Sequence, residues 1–261
     1  AVDLARELER DVAAGALWKG DASPVTVADF SVQALIAARL CRDFPSDALV
    51  AEEDASALRG APHLAARIVD FVRLAESALP VDQILALIDR GRGSPGRRFW
   101  ALDPIDGTKG LLRGGQYAVA LALIEEGVVK TGVLGCPRLS LRERSVVNAA
   151  RDLRGDGGIA VAVHGSGAWW SSDSSGPLVR LSVSHVNEPE HARVLHSFET
   201  PHNDAEMLRH VVNALTLQRA PWLMDSQAKH AVVSSGAAGI LHRVPTRQSN
   251  REAIWVVAAP A

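Results

Sequence analysis

The chain has 261 residues, with 28 Lys and Arg against 30 Asp and Glu and a formal net charge of −2; so balanced a charge argues against a nonspecific nucleic-acid coat. A hydrophobic content of 47% with 22% charged residues is the balance of a globular chain and excludes a disordered one, while 5% aromatics make a poor base-stacking platform. Two cysteines, Cys41 and Cys136, are too few for a disulfide framework or a thiolate metal cluster.

Apolar stretches such as Ala118–Ile124 are far too short to span a bilayer, and the start, Ala1-Val2-Asp3-Leu4, carries no signal-peptide pattern. These features predict a cytoplasmic protein. Leu4, Leu8, Val12 and Leu17 recur at helical spacing and predict an amphipathic helix over 3–17. Thr26 can cap a second helix, with Phe30, Ala34, Ala37 and Leu40 on one face until Pro45 stops it. Asp47 to Glu53 then reads as a short apolar strand, Ala48-Leu49-Val50-Ala51, closed by two carboxylates. Helical stretches follow near 61–77 and 81–90, and then the turn-rich run Gly91–Gly96.

From Arg98 the period changes. Phe99 to Leu102 runs into a Pro/Gly turn, and residues 117–124 and 128–134 read as paired strands around Glu126-Gly127. Short strand-like runs at 146–150, 159–163, 178–183 and 194–198 follow, then helical patterns at 204–217 and 226–235. The whole predicts a mixed α/β chain with a boundary in the Arg/Gly/Asp-rich stretch 151–158. Residues 1–150 then form an N-terminal lobe and 151–261 a C-terminal lobe.

The sharpest local feature is Trp100-Ala-Leu-Asp103-Pro104-Ile105-Asp106-Gly107-Thr108. A strand delivers Asp103 to its end, Pro104 fixes a turn, Asp106 returns to the same side and Gly107 relaxes the backbone. Two close acids resist joint ionisation unless a cation lies between them, and oxygen-rich acidic sites select hard cations such as Mg²⁺. An Asx turn with solvated acids explains the same residues. Glu52-Glu53 reads either as a second carboxylate cluster or as a solvated helix start, and Asp29 either as a site acid or as a first-turn residue behind Thr26. Three such clusters together suit several divalent cations and a phosphate.

Ser23–Asp29, Val50-Ala51-Glu52-Glu53-Asp54 and Asp103 to Gly110 together resemble the lithium-sensitive, Mg²⁺-dependent phosphomonoesterases that include inositol monophosphatase and fructose-1,6-bisphosphatase. Arg113 to Glu125, Val133–Pro137 and Met224–Lys229 resemble one branch, the 3'(2'),5'-bisphosphate nucleotidases. The resemblance covers nearly the whole chain. It implies the layered αβαβα sandwich of that family, two or three Mg²⁺ ions, and hydrolysis of the 3'-phosphate of adenosine 3',5'-bisphosphate, with 3'-phosphoadenylyl sulfate as a further substrate and inhibition by Li⁺. An inositol-phosphate phosphatase with the same site is the alternative within enzymes. The implied partner is a small nucleotide, with no nucleic-acid polymer and no membrane, and the implied assembly is a monomer or weak homo-oligomer.

Carried over position by position, the resemblance assigns Glu52, Asp103, Asp106 and the Ile105 carbonyl to the metal. Asp29 and Thr108 resemble the pair that orients and deprotonates the attacking water, with Glu53 grouped alongside them as catalytic. Gly107 and Thr108 would offer backbone N–H groups to the phosphate. His202, Ser226, Lys229 and Arg243 match positions that contact the nucleoside and the phosphate that is not cleaved. Two departures stand out. Val256, after Arg251–Trp255, occupies the place of the family's third metal-site aspartate, and the chain stops at Ala261 before the remaining C-terminal elements of that fold. A nucleotide-binding homologue with impaired catalysis is therefore a further alternative.

Other patterns are set aside. Gly91-x-Gly93-x-x-Gly96 spells a dinucleotide fingerprint but contains Pro95 and precedes a strand, the reverse of strand–loop–helix. Gly165-Ser166-Gly167 is too short for a nucleophile elbow, and Trp169-Trp170 reads as hairpin packing.

Overall fold

A computed structural model describes residues 1–12, 16–18, 24–77, 79–141, 155–172, 176–198, 205–243 and 253–261. The first half runs α1 (Val2–Val12), β1 (Ala16–Trp18), β2 (Pro24–Thr26), α2 (Val27–Asp43), β3 (Ala48–Ala51), α3 (Ser56–Arg59), α4 (Pro62–Ala75), α5 (Val81–Asp89), β4 (Arg98–Asp106), α6 (Thr108–Leu112), β5 (Ala118–Glu125) and β6 (Val128–Cys136). The second continues with β7 (Gly158–Val163), β8 (Gly167–Ser171), β9 (Val179–Arg180), β10 (Val194–His196), α7 (Ala205–Ala214), β11 (Trp222–Leu223), α8 (Ala228–Ser234), β12 (Ile240–His242) and α9 (Ile254–Val257).

Strands β3 to β9 form one sheet in chain order, β3 parallel to β4 and every later pair antiparallel. Period-2 alternation on β4 divides its side chains between two cores. Trp100 and Leu102 face a core built with α1, α2, α4 and α5, in which Leu8, Phe30, Ile68, Val72 and Ile88 are almost fully buried. Phe99 and Ala101 face a second core that joins β5 and β6 to Leu195, Trp222, Met224, Ala228, Val232 and Ala258. This second layer holds the small parallel sheet β11-β10-β12. The result is the layered α/β sandwich the sequence predicts.

Local differences have local causes. Leu17 lies in β1, paired antiparallel with Val25, so the first helix is shorter than its apolar spacing suggests. Pro104 does not end its strand. The pairing of β4 with β5 shifts register between Asp103 and Asp106, and this bulge accommodates a residue that has no N–H to give the ladder. The strand-like run 178–183 narrows to β9, and 194–198 narrows to β10. The strand expected at 146–150 lies outside the described residues.

Candidate active site

Asp29 is the third residue of α2, and its Oδ2 accepts the Thr26 N–H at 2.8 Å and the Thr26 O–H at 2.6 Å. Thr26 Oγ1 in turn accepts from the Ala28 N–H at 3.1 Å, closing a capping box. One carboxylate oxygen of Asp29 thus serves the helix cap, and the other faces away from it. Its Oδ1 stands 3.4 Å from Thr108 Oγ1, although 79 residues separate the two in sequence. The Thr108 hydroxyl also lies 3.0 Å from the Ile105 carbonyl. Its single proton can serve only one of these acceptors at a time, so Thr108 can pass a proton toward Asp29.

The bulge in β4 sends Asp103 and Asp106 toward Glu52, which follows β3 and donates its backbone N–H to Leu102. Asp103 is 2% exposed, and its Oδ1 is buried with no hydrogen-bond partner among the described residues. Burial, then the charges of Glu52 and Asp106, a hydrogen bond with Glu52 and the charge of Asp29 push the Asp103 carboxyl well above the usual carboxylate range. Burial also raises Asp106, against the opposing pull of Lys229, the Gln227 N–H and Arg243, with Glu52 adding to the rise. Three elements thus bring four acids within electrostatic reach of one another.

Among the described residues, no three His, Cys, Asp or Glu side chains draw close enough to form a finished metal cage. The acids still fit a hard cation. The orphaned Asp103 oxygen and the mutual repulsion of Asp103, Asp106 and Glu52 would be relieved by a bound cation, as they are by a proton. Glu52, Asp103, Asp106 and the Ile105 carbonyl are the oxygens that could hold it.

Gly107, with φ +87°, precedes α6, and a Cβ placed there would lie 2.9 Å from the Cβ of Ser226. Gly107→Ala should therefore destabilise the protein by about 1–2 kcal/mol from the left-handed backbone alone. It should also lower activity further by pushing Ser226 away; thermal melts and phosphate release measure the two losses separately.

Lys229 is 3% exposed. Its Nζ donates to Ser197 Oγ at 3.0 Å and to the Met224 carbonyl at 3.1 Å. Burial lowers its pKa to about 8 against the attraction of Asp106, and Arg243 lowers it further. Lys229 and Arg243 thus put two positive charges within reach of Asp106. Burial, and then the charges of Lys229 and Arg243, take His230 down to about 4, so its ring is neutral near physiological pH.

The other expected residues fall as follows. Glu53 is buried, and its backbone N–H and carbonyl are held by the Gln33 amide at 3.1 and 2.6 Å. Ser226 has φ +64°, and its Oγ accepts from the Ala228 N–H at 3.2 Å, so its hydroxyl caps α8. His202 lies outside the described residues. Val256 is half-buried on α9, which packs on β4 and β5.

Sequence reasoning missed two supports. The backbone N–H of Gln227 donates to Asp106 Oδ2, and the Gln227 side chain donates to the Trp255 carbonyl at 3.4 Å, which ties the acid to α9. Arg113 holds buried Asp225 at 2.7 Å. A backbone donor leaves no trace in residue identity. The Arg113–Asp225 pair spans 112 residues, and only the co-occurrence of their two motifs hinted at it.

A layered α/β sandwich that gathers buried acids at a strand bulge beside a helix start and two cations is the framework of a phosphoryl-transfer enzyme. The chain belongs to the inositol monophosphatase family, whose profile matches residues 3–261. Among its relatives, a 3'(2'),5'-bisphosphate nucleotidase of Emericella nidulans is 37% identical over 99% of this chain and 80% of its own length. The 3'(2'),5'-bisphosphate nucleotidase 1 of Arabidopsis thaliana is 41% identical over 91% of this chain and 71% of its own length. Among solved structures, the extragenic suppressor protein suhB of Bartonella henselae matches with a TM-score of 0.63 at 18% identity, over all of this chain and 78% of that one. That likeness bears on the fold.

Proposed function

We propose that this chain is a Mg²⁺-dependent phosphomonoesterase that releases the 3'-phosphate of adenosine 3',5'-bisphosphate to leave AMP, and that it accepts 3'-phosphoadenylyl sulfate. The observation that carries the reading is the convergence of Asp103, Asp106, Glu52 and Asp29 beside Thr108, with Lys229 and Arg243 within electrostatic reach of Asp106. The nucleotidase relatives support the choice of substrate. The same reading carries two or three Mg²⁺ ions, inhibition by Li⁺, a place in sulfur assimilation, a cytoplasmic location and a monomeric or weakly associating chain. Among the described residues, no helix is long and apolar enough to cross a membrane.

Magnesium, when bound by Glu52, Asp103, Asp106 and the Ile105 carbonyl, supplies Lewis-acid polarisation of the phosphoryl oxygens. The chain's own groups do the rest. Thr108 Oγ1 takes a proton from the attacking water as its own passes to Asp29 Oδ1. The water oxygen bonds to phosphorus as the bond to the ribose 3'-oxygen breaks; the departing alkoxide takes a proton from a solvent water to become the hydroxyl, and Asp29 returns its proton to solvent. Gly107 and Thr108 meet the transferred phosphoryl group at the start of α6, and Lys229 and Arg243 hold the 5'-phosphate, which an inositol monophosphate lacks.

The test is phosphate release from adenosine 3',5'-bisphosphate and from inositol 1-phosphate, each with Mg²⁺ titrated. Turnover of the nucleotide alone supports the reading; turnover of the inositol ester alone replaces it. Val256→Asp, run in parallel, adds a carboxylate on α9 beside β4. It should tighten the apparent Mg²⁺ affinity about tenfold and lower the Tm in EDTA, because it crowds acids that already repel one another.

A further inference from the structure

We propose that Glu9, on α1 and outside the acidic cluster, is a positioning residue for the phosphoryl site, acting through Tyr117 and Arg138 on the segment that follows α6. The kinetic part of this inference rests on the activity proposed above.

Glu9 uses both carboxylate oxygens across the fold. Oε1 accepts the O–H of Tyr117, which is fully buried, and Oε2 accepts Arg138 Nη2 at 2.9 Å. Arg138 Nη1 donates to the Gly115 carbonyl at 3.0 Å, and its guanidinium lies 5.8 Å from the Tyr117 ring centre. Gln116 Nε2 donates back to the Arg138 carbonyl at 3.0 Å. One acid on the first helix therefore fixes Gly115, Gln116 and Tyr117 together. Burial and the Glu9 charge push the Tyr117 phenol up, so it remains a donor throughout the accessible pH range.

The segment it fixes leads directly to the site. The Gly115 N–H donates to the Gly110 carbonyl at 2.7 Å inside α6, the helix that begins with Thr108. A Cβ on Gly110 would lie 2.9 Å from the Cβ of Asp225, and Arg113 grips the Asp225 carboxylate at 2.7 Å. Beyond Asp225, Ser226 sits against Gly107, and Gln227 binds Asp106. Contacts run without a gap from Glu9 to Asp106. Nothing in this path touches substrate until Gly107, and a closely packed chain of this kind passes on a displacement rather than absorbing it.

Glu9→Gln keeps an acceptor for Tyr117 but removes the charge that holds Arg138. Hydrogen exchange and steady-state phosphate release, both at 25 °C, test the idea, with Arg138→Lys as a second variant that keeps the charge and breaks the fork to Gly115. Val72→Ala, in the α4 core, is the control for stability loss alone. Both variants should speed exchange about tenfold at 110–117 and at 224–229, and should lower kcat about tenfold with KM within about twofold, while Val72→Ala leaves kcat within about twofold. Exchange that rises only in α1, or a kcat no lower than that of Val72→Ala, overturns the proposal. Should the wild-type chain release no phosphate, the activity reading fails by itself and the exchange at 224–229 decides this one.

Discussion

Asp103→Asn is expected to lower phosphate release by about a thousandfold and, in EDTA at neutral pH, to raise the Tm. The two effects share one cause. Asp103 is buried among Glu52, Asp106 and Asp29, which hold its carboxyl well above the usual range. A group whose folded pKa is raised stabilises the fold fully below its unfolded pKa and loses that contribution as pH climbs toward the folded value. Wild-type protein without metal should therefore gain stability as the pH falls from neutral toward about 5, and Asp103→Asn should gain less. With saturating Mg²⁺ the order reverses, because the cation stabilises an ionised Asp103 and has less to bind in the variant. Equal melting curves for the two proteins in EDTA would contradict this electrostatic account.

Lys229→Met should cut kcat/KM for adenosine 3',5'-bisphosphate about a hundredfold, the scale expected when one partner of a buried charge pair is truncated. Inositol 1-phosphate, having no second phosphate, should lose less than about threefold at saturating Mg²⁺. The Met224 carbonyl and Ser197 hydroxyl are also left without their donor, so some stability is lost as well. The pH dependence separates charge from packing. Lys229 titrates at about 8 rather than 10.5, so its positive charge fades as the pH rises past 8. The KM for the bisphosphate should rise across that window in the wild type and stay flat in Lys229→Arg. Stability should move the other way. From pH 8 to 10.5 the unfolded chain binds more protons at this lysine than the folded one, so the contribution of Lys229 grows with pH. Parallel pH profiles for wild type and Lys229→Arg would remove Lys229 from phosphate binding.

Much of this was legible in the residues. The cap Thr26, the apolar run before Glu52 and the spacing Asp103-x-x-Asp106-Gly107-Thr108 placed the acids at element ends, because strand alternation and capping are local physics. What escaped was non-local or carried by backbone. Asp29 looked either like a cap or like a site acid, and only the packing of α6 against β2, the strand that leads into α2, shows that its second oxygen faces Thr108. Pro104 suggested a turn because proline ends most strands, yet a bulge accommodates it. The Ser226 hydroxyl, read as a ligand contact, also accepts the Ala228 N–H at the start of α8, a local bond that residue identity did not announce. The Glu9–Tyr117–Arg138 cluster joins residues more than a hundred positions apart, with no motif to announce it.

The central claim is that acids from β3, β4 and α2 hold magnesium where a phosphoryl group is attacked. Calorimetric titration of Mg²⁺ into wild-type protein and Asp103→Asn, each with AMP and inorganic phosphate present, measures this directly. The account predicts saturable uptake by the wild type that falls at least about tenfold in affinity in the variant. Indistinguishable isotherms, or no uptake by the wild-type chain, would contradict it.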